Sequence, residues 1–403
     1  MSKVKDIVIP EGWVIEKIWN LWIISAWNWF PEIYQWNLKW KYPFYKVSDT
    51  NNLWNEKFLI KANNYIDDII VNKLKWKIFN KWTIVYPKVW ATLLSNKRRI
   101  LKYNSLIDNN LWTFNIKNWS NIFLYYIFLN IDFWILCWDW ALPSISWNTI
   151  WNISILLPQS LKEQQKIAEI LSTVDEAIEK TDKLIEKYKK IKTWLMEDLF
   201  TKWIDVNTWK PHTKFKESKL GLIPESWEIE NVINLMKITT WSKNTQDKIE
   251  NWKYDFYVRS DKIEKINTYS FDWEWVITSW DWVWVWKIYH YVNWKFDFHQ
   301  RVYLMHCFNN KIIWKYFFSF FKTYFKLRVD SFSAKTTVDS VRLEMISEML
   351  IPIPNIQEQQ KIVSILTESD NKIEKEIAYK NKLEKIKKWL MNDLLTGKVR
   401  MKY

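Results

Sequence analysis

Lys97, Arg98 and Arg99 stand together in the run SNKRRIL, three cations in what reads as a surface loop. Groups of this kind bind phosphate oxygens and position a protein on a nucleic-acid backbone. Lys46, in YPFYKVSD, and Lys88, in YPKVW, extend the same chemistry along the first half of the chain. The second half repeats it with Arg259 and Lys262 in YVRSDKIEKI, Lys287 in VWKIYHYV, Arg301 in HQRVY, and Lys335 and Arg342 in SAKTTVDSVR. Lys243 adjoins Asn244 and lies close to Gln246, and Gln300 precedes Arg301. Arg pairs with guanine edges and Asn or Gln with adenine edges in a DNA major groove, so such mixtures can both hold and read a duplex. The competing reading makes each of them an ordinary surface or structural side chain.

Catalysis has no comparable support. There is no His-Glu-x-x-His, no Asn-Pro-Pro-aromatic run, and no Ser-His-Asp set with local support. The four histidines, His212, His290, His299 and His306, do not show metal-ligand spacing. Cys137 and Cys307 are far apart, which excludes a disulfide framework and a zinc motif. Asp67 with Asp68, and Glu344 with Glu348, read as solvated faces.

The composition is unusual in one respect. The chain holds 33 Trp and 3 Gly, where average usage would give roughly 7% Gly. Many Trp follow Asn or Asp, as at Asn28-Trp29, Asn293-Trp294, Asp139-Trp140 and Asp281-Trp282. Asn-Gly and Asp-Gly are turn signals because a type I′ turn needs positive φ. We read about 31 of the Trp as glycines of a lineage that decodes UGA as Gly. Trp13 and Trp227 are the two expected to be genuine. Restored in this way, 280–287 becomes Gly-Asp-Gly-Val-Gly-Val-Gly-Lys, a turn entering the strand KIYHYV. It is not a phosphate loop: Ile288 follows Lys287, and Asp281 occupies the place of the first Gly. It is not a dinucleotide fingerprint either, because a strand and not a helix follows.

The net charge is +14, from 59 basic and 45 acidic residues, which favours a polyanionic partner. The first residues, MSKVKDIVIPEGW, lack the apolar core of a signal peptide. The most apolar run, NIFLYYIFLNIDFWILC, is broken by Asn130 and Asp132 and is too short to span a bilayer. A cytoplasmic protein with no membrane partner is expected.

The elements that must position these residues come in duplicate. LKEQQKIAEIL at 161–171 returns as IQEQQKIVSIL at 356–366, seven of eleven identical, and IKTWLMEDL at 191–199 returns as IKKWLMNDL at 386–394. Both pairs are offset by 195 residues. IPEGW at 9–13 returns as IPESW at 223–227. In the first helix Leu171, Val174, Ile178, Ile185, Tyr188, Ile191, Leu195 and Leu199 form an apolar stripe. In the second the stripe is Ile362, Leu366, Ile373, Ile377, Leu383, Ile386, Leu390 and Leu394. Helices of about 40 residues with a narrow seam pair as a coiled coil. The segments between are rich in Val, Ile, Tyr and Phe and read as mixed, mostly β domains.

The chain resembles the specificity subunits of type I restriction–modification systems. PEGWVIEKI, LPSISWNTIWNISILLP, LKEQQKIAEIL with Asp175, and KKWLMNDLLTGKVRM carry the likeness in the constant parts. YPFYKVSD, YDFYVRSDKIE and SAKTTVDSVR carry it in the variable ones. The departures are nearly all Trp where that family shows Gly.

The resemblance implies an α+β fold: two mixed, mostly β target-recognition domains separated by two long conserved helices that pair as an antiparallel coiled coil. The expected division is a first recognition domain over 1–158, a central helix over 159–204, a polar linker over 205–222, a second recognition domain over 223–353 and a distal helix over 354–403. It further implies a non-catalytic subunit bound to double-stranded DNA. Each domain would read half of a split asymmetric site. The helices, through Leu171, Ile178, Ile185, Leu195, Leu366, Ile373, Leu383 and Leu390, would pair and dock methyltransferase subunits. Restriction/translocase subunits complete such complexes. No cofactor is expected in this chain; S-adenosylmethionine, and ATP with magnesium, belong to the partner subunits. The alternatives are a coiled-coil scaffold whose β domains bind proteins, and a subunit with a hidden nuclease.

Overall fold

A computed structural model describes residues 9–21, 30–38, 41–52, 54–87, 97–114, 120–132, 134–136, 147–202, 204–240, 243, 246, 253–258, 263–279, 289–300, 302–333 and 341–401. Two 40-residue helices dominate it, a central one at Leu161–Phe200 and a distal one at Ile356–Leu395. At 1.5 Å per residue each is about 60 Å long. Each begins at a side-chain cap. The Ser160 hydroxyl accepts from the Glu163 amide at 3.4 Å, and Asn355 Oδ1 from the Glu358 amide at 2.9 Å.

The chain divides into two compact units, one of 1–182 with 378–403, the other of 183–377. The boundaries fall inside both helices and not at their ends, so each unit takes about half of each helix.

In the first unit Trp13–Lys17 pairs antiparallel with Ser154–Pro158, bringing both ends of the β segment together just before the central helix. Between them lie a three-stranded sheet, ordered Asn64–Ile66, Tyr42–Tyr45, Leu106–Ile107, and a four-stranded sheet, ordered Phe58–Leu59, Arg99–Leu101, Ile84–Pro87, Leu111–Phe114. The helix Asn121–Leu129, part of the apolar run noted above, is buried from Phe123 to Phe128. It shares a core with Ile84, Phe114, Leu171 and Leu394. An all-round apolar helix of this length belongs in a core. Among the described residues no helix is long and apolar enough to cross a membrane.

The second unit repeats the plan. Glu228–Asn231 pairs antiparallel with Leu350–Ile353 just before the distal helix. A six-stranded sheet runs Lys237–Thr239, Val302–His306, Phe271–Ser279, Tyr289–Phe298, Tyr254–Tyr257, Glu264–Ile266. The helix Trp314–Ser333 lays Tyr316, Phe317, Phe321 and Phe325 into a core shared with Leu199, Ile362 and Leu366. The expected linker 205–222 is not a featureless connector. Ile204–Asp205 pairs with Lys210–Pro211, and Phe215–Ser218 with Gly221–Pro224, as two small hairpins.

The helices pair antiparallel in the first unit and are bridged again in the second. Asp175 meets Lys387 at 2.6 Å and Asp182 meets Lys380 at 2.7 Å in the first, so numbers rise on one helix as they fall on the other. Lys192 meets Asp370 at 2.5 Å in the second.

All three glycines adopt positive φ, at 72°, 87° and 71° for Gly12, Gly221 and Gly397. At Gly397 a Cβ would also lie 2.5 Å from Pro10 Cγ. Trp36, Trp54, Trp82 and Trp209 adopt the same region, φ 54–76°, and all four are exposed. A Cβ there costs roughly 1–2 kcal/mol, and glycine is the residue that visits it freely. Trp13 and Trp227 are instead buried in the cores, and so is Trp112.

Candidate nucleic-acid interface

Three of the predicted cations of the first unit converge on the 3-10 turn Val47–Asn51. Lys46 caps it: its amide donates to Asp49 Oδ2 at 2.7 Å, and its Nζ donates to Gln35 Oε1 at 2.9 Å above the Phe30 ring. Lys97 donates to Asn51 Oδ1. Arg99 donates through Nη2 to the Thr50 carbonyl at 3.0 Å. The turn is held from inside by buried Asp49, whose Oδ1 accepts from the Asn63 amide and the Asn52 side chain. Burial pushes the Asp49 carboxyl up against these bonds. Burial also lowers Arg99, and lowers Lys97 with the Arg99 charge beside it.

Arg98 is a correction. The run SNKRRIL predicts three exposed cations in a loop, yet Arg98 is 1% exposed. The chain straightens there into the strand Arg99–Leu101, and side chains along extended backbone point to alternate faces. Arg98 therefore turns inward, over the Tyr86 ring at 5.5 Å, donating to the carbonyls of Lys97 and Ile131. Burial pushes its guanidinium down to about 10, with Tyr86 and Asp132 opposing, so it stays charged at neutral pH.

In the second unit Lys243 and Gln300 are brought together. Lys243 bridges to His299, and the Gln300 amide donates to the Lys243 carbonyl at 2.8 Å. Close by in sequence, Asp297 is buried and accepts from Ser270 at 3.1 Å, and burial raises its carboxyl while the Lys243 charge opposes. Gln246 and Gln300 are exposed. Arg342 is exposed too, and stands at the start of the short helix Leu343–Ser347. Lys88, Asn244, Arg259, Lys262, Lys287, Arg301 and Lys335 lie outside the described residues.

Along the helices Leu171, Ile185, Leu366, Ile373 and Leu383 are buried, and Ile178, Leu195 and Leu390 partly so. Two members of the wider stripe face outward, Ile377 and Ile386, each 40% exposed.

The residues that bind each domain to its helix belong to the repeated Glu-Gln-Gln motif. Gln164 is buried and uses both ends of its amide, donating to the Pro158 carbonyl at 2.9 Å and accepting from the Ser120 amide at 3.1 Å. Gln359 does the same one repeat later, donating to Pro354 and Lys311 carbonyls and accepting from the Ile313 amide at 2.8 Å. Ser120 and Ile313 each open their domain's own helix, so the Gln ties the two helix starts together. Only a side chain with donor and acceptor can do this. The adjacent glutamates are anchors as well. Glu163 receives Arg400 at 2.8 and 3.0 Å. Glu358 receives His212 Nε2 and Trp227 Nε1, both at 3.1 Å. Among the described residues no cluster of His, Cys, Asp or Glu could hold a metal ion.

Two β domains, each tied by a buried Gln to the start of a repeated helix, make up a modular chain. The family model of the type I restriction modification DNA specificity domain matches residues 10–188 and again 224–385, and the chain belongs to that family. It is 29% identical over 285 residues to the type I restriction enzyme MjaVIII specificity subunit of Methanocaldococcus jannaschii, a match covering 65% of this chain and 66% of that one. A putative MjaX specificity subunit of the same organism is 27% identical over 274 residues, 64% of this chain and 62% of that one. The matches thus span a little under two thirds of these relatives. The fold is that of the type I restriction–modification S subunit from M. genitalium, with TM-score 0.64, 14% identity and 97% of each chain covered. A chain from a type I restriction–modification assembly gives 0.55 at 12% identity, covering 97% of this chain and 99% of that one.

Proposed function

We propose that this chain is the DNA sequence-recognition subunit of a type I restriction–modification complex. Each β domain reads one half of a bipartite, asymmetric site. The paired helices hold the domains and dock the modification subunits, and restriction/translocase subunits join that core in the cytoplasm. The chain itself catalyses nothing; the partners supply S-adenosylmethionine chemistry, and ATP with magnesium.

The observation that carries this reading is the doubling. The DNA specificity model fits each half separately, and each half carries its own candidate cations. A scaffold that binds proteins would not need Lys46, Lys97 and Arg99 gathered on one turn. Exchange of 228–351 for the same segment of another such subunit, followed by mapping of methylated sites in the reconstituted complex, tests it. One half-site changes and the other stays. A change in both, or a complex indifferent to DNA, overturns the reading.

A further inference from the structure

Asp175 on the central helix gathers groups from three other places in the first unit. Lys387 of the distal helix reaches it at 2.6 Å. Tyr126, from the domain's buried helix, donates its hydroxyl at 2.5 Å. Lys57, at the edge of the strand Phe58–Leu59, lies 3.2 Å away and also donates to the Tyr126 hydroxyl at 2.7 Å and to Ser172 at 3.1 Å. The site is largely shut off from water, with side-chain exposures of 13% for Asp175, 17% for Lys57 and 25% for Lys387.

Half of this node is duplicated. Lys192 and Asp370 lie 195 residues from Lys387 and Asp175, in the exchanged sense, and form the same bond at 2.5 Å in the second unit. Among the described residues the domain's share is not duplicated. In the second unit the domain's helix brings Lys322, which feels Lys192 and Asp370 through its charge, where the first has a bonded Lys–Tyr pair.

A buried ion pair is weak evidence for stability, because desolvation offsets the attraction. What such a pair adds is direction. Apolar side chains slide over one another, whereas a carboxylate bonded from three sides fixes the angles of the elements that meet there. We propose that Asp175, with Lys57 and Tyr126, is a positioning node that fixes the pose of the first domain on the helix pair, and so restricts the half-site separation the protein accepts. The inference rests on the proposed DNA-reading function.

The test uses the full chain reconstituted with its modification subunits, acting on genomic DNA, with methylated positions mapped by sequencing. One readout then gives both half-sites and the spacer between them. Tyr126→Phe and Lys57→Met keep size and burial; Asp175→Asn is the stronger change, and Asp370→Asn is the comparator. The wild type methylates one spacer length. Tyr126→Phe and Lys57→Met raise methylation at spacers one base pair longer or shorter roughly tenfold, with the half-site bases unchanged. Asp370→Asn, lacking a bonded domain partner, moves the distribution less. A spacer distribution that stays fixed while overall methylation falls overturns the proposal, as does a change of half-site bases. Failure of the underlying function looks different: the wild-type complex would then yield no split site at all.

Discussion

The Trp227 indole donates to the Glu358 carboxylate at 3.1 Å, inside the core that the second domain shares with the distal helix. Its counterpart in the first unit is different. There Glu163 takes a two-point bond from Arg400, and Trp13 lies below that guanidinium at 5.9 Å. The same carboxylate position is thus satisfied by a permanent cation in one repeat and by an indole with an imidazole in the other.

That difference predicts a pH dependence. Burial raises the Glu358 carboxyl above its ordinary 4.5, against the opposing bonds from His212 and Trp227. The folded state then holds a proton more tightly than the unfolded chain. This contribution to stability is complete below the unfolded value and is lost as pH rises through the higher folded value. Glu358→Gln keeps an acceptor for Trp227 and removes the titration. Thermal melts from pH 4 to 8 should show a flatter Tm profile for the variant, by roughly the slope that one proton gives.

Gln164→Leu and Gln359→Leu each strand a helix-start amide and a carbonyl in the interior. An unsatisfied buried polar group costs about 1–3 kcal/mol. Urea unfolding of each variant should show a loss of at least that size. Leu is close to isosteric, so a loss well below it would mean that water reaches these groups.

Lys97 and Arg98 are adjacent and should behave oppositely. Lys97→Ala is expected to leave Tm within a degree or two, to weaken DNA binding about equally for all sequences, and to lower the salt slope of the binding constant by about one. Arg98→Ala strands the Ile131 carbonyl and uncovers Tyr86, and should destabilise by about 1–3 kcal/mol. Melting and salt-titrated binding on both proteins separate the two roles.

The tryptophan excess is testable at the bench and in the gene. Trp36→Gly, Trp54→Gly, Trp82→Gly and Trp209→Gly relieve a left-handed backbone and should each stabilise by about 1 kcal/mol or slightly more. Trp194 is exposed within the central helix, where Gly is the poorer helix former, so Trp194→Gly should cost a few tenths of a kcal/mol up to about 1. UGA codons at all five positions, together with glycine found there by mass spectrometry of the protein from its own cells, would show that the cellular protein carries glycine. UGG codons would show the opposite.

Much of the architecture is legible from spacing alone. Leu171, Ile185, Leu366, Ile373 and Leu383 repeat at helical intervals and are buried, because an amphipathic helix has one economical way to face a partner. Ile377 and Ile386 fit the same pattern and still point outward. A straight helix drifts against a fixed repeat, so periodicity locates a face only near actual contact. The hairpins within 204–224 are not legible because polar composition says little about pairing; Gly221 is a turn signal for the second of them only. The site was less legible than the fold. Lys46 and Arg99 are far apart in sequence, and only the sheet brings them to one turn. Arg98 was misplaced because a run of cations looks the same whether it is a loop or the first residues of a strand. Gln164 and Gln359 were visible as a repeated word, but its meaning depends on Ser120 and Ile313, which no local pattern connects to it.

Arg98 also changes how the charge of this chain should be counted. The formal excess of 14 positive charges includes a guanidinium that is covered by an aromatic ring and carbonyl oxygens. Counterions condensed on DNA are displaced only by cations that reach the phosphates. A salt titration therefore counts hands on the backbone and not letters in the sequence, and its slope will be smaller than the cluster Lys97-Arg98-Arg99 suggests. The charge sealed inside is shielded little by added salt. It will go on holding Tyr86 and the start of its strand in place at ionic strengths where the outer cations have let go.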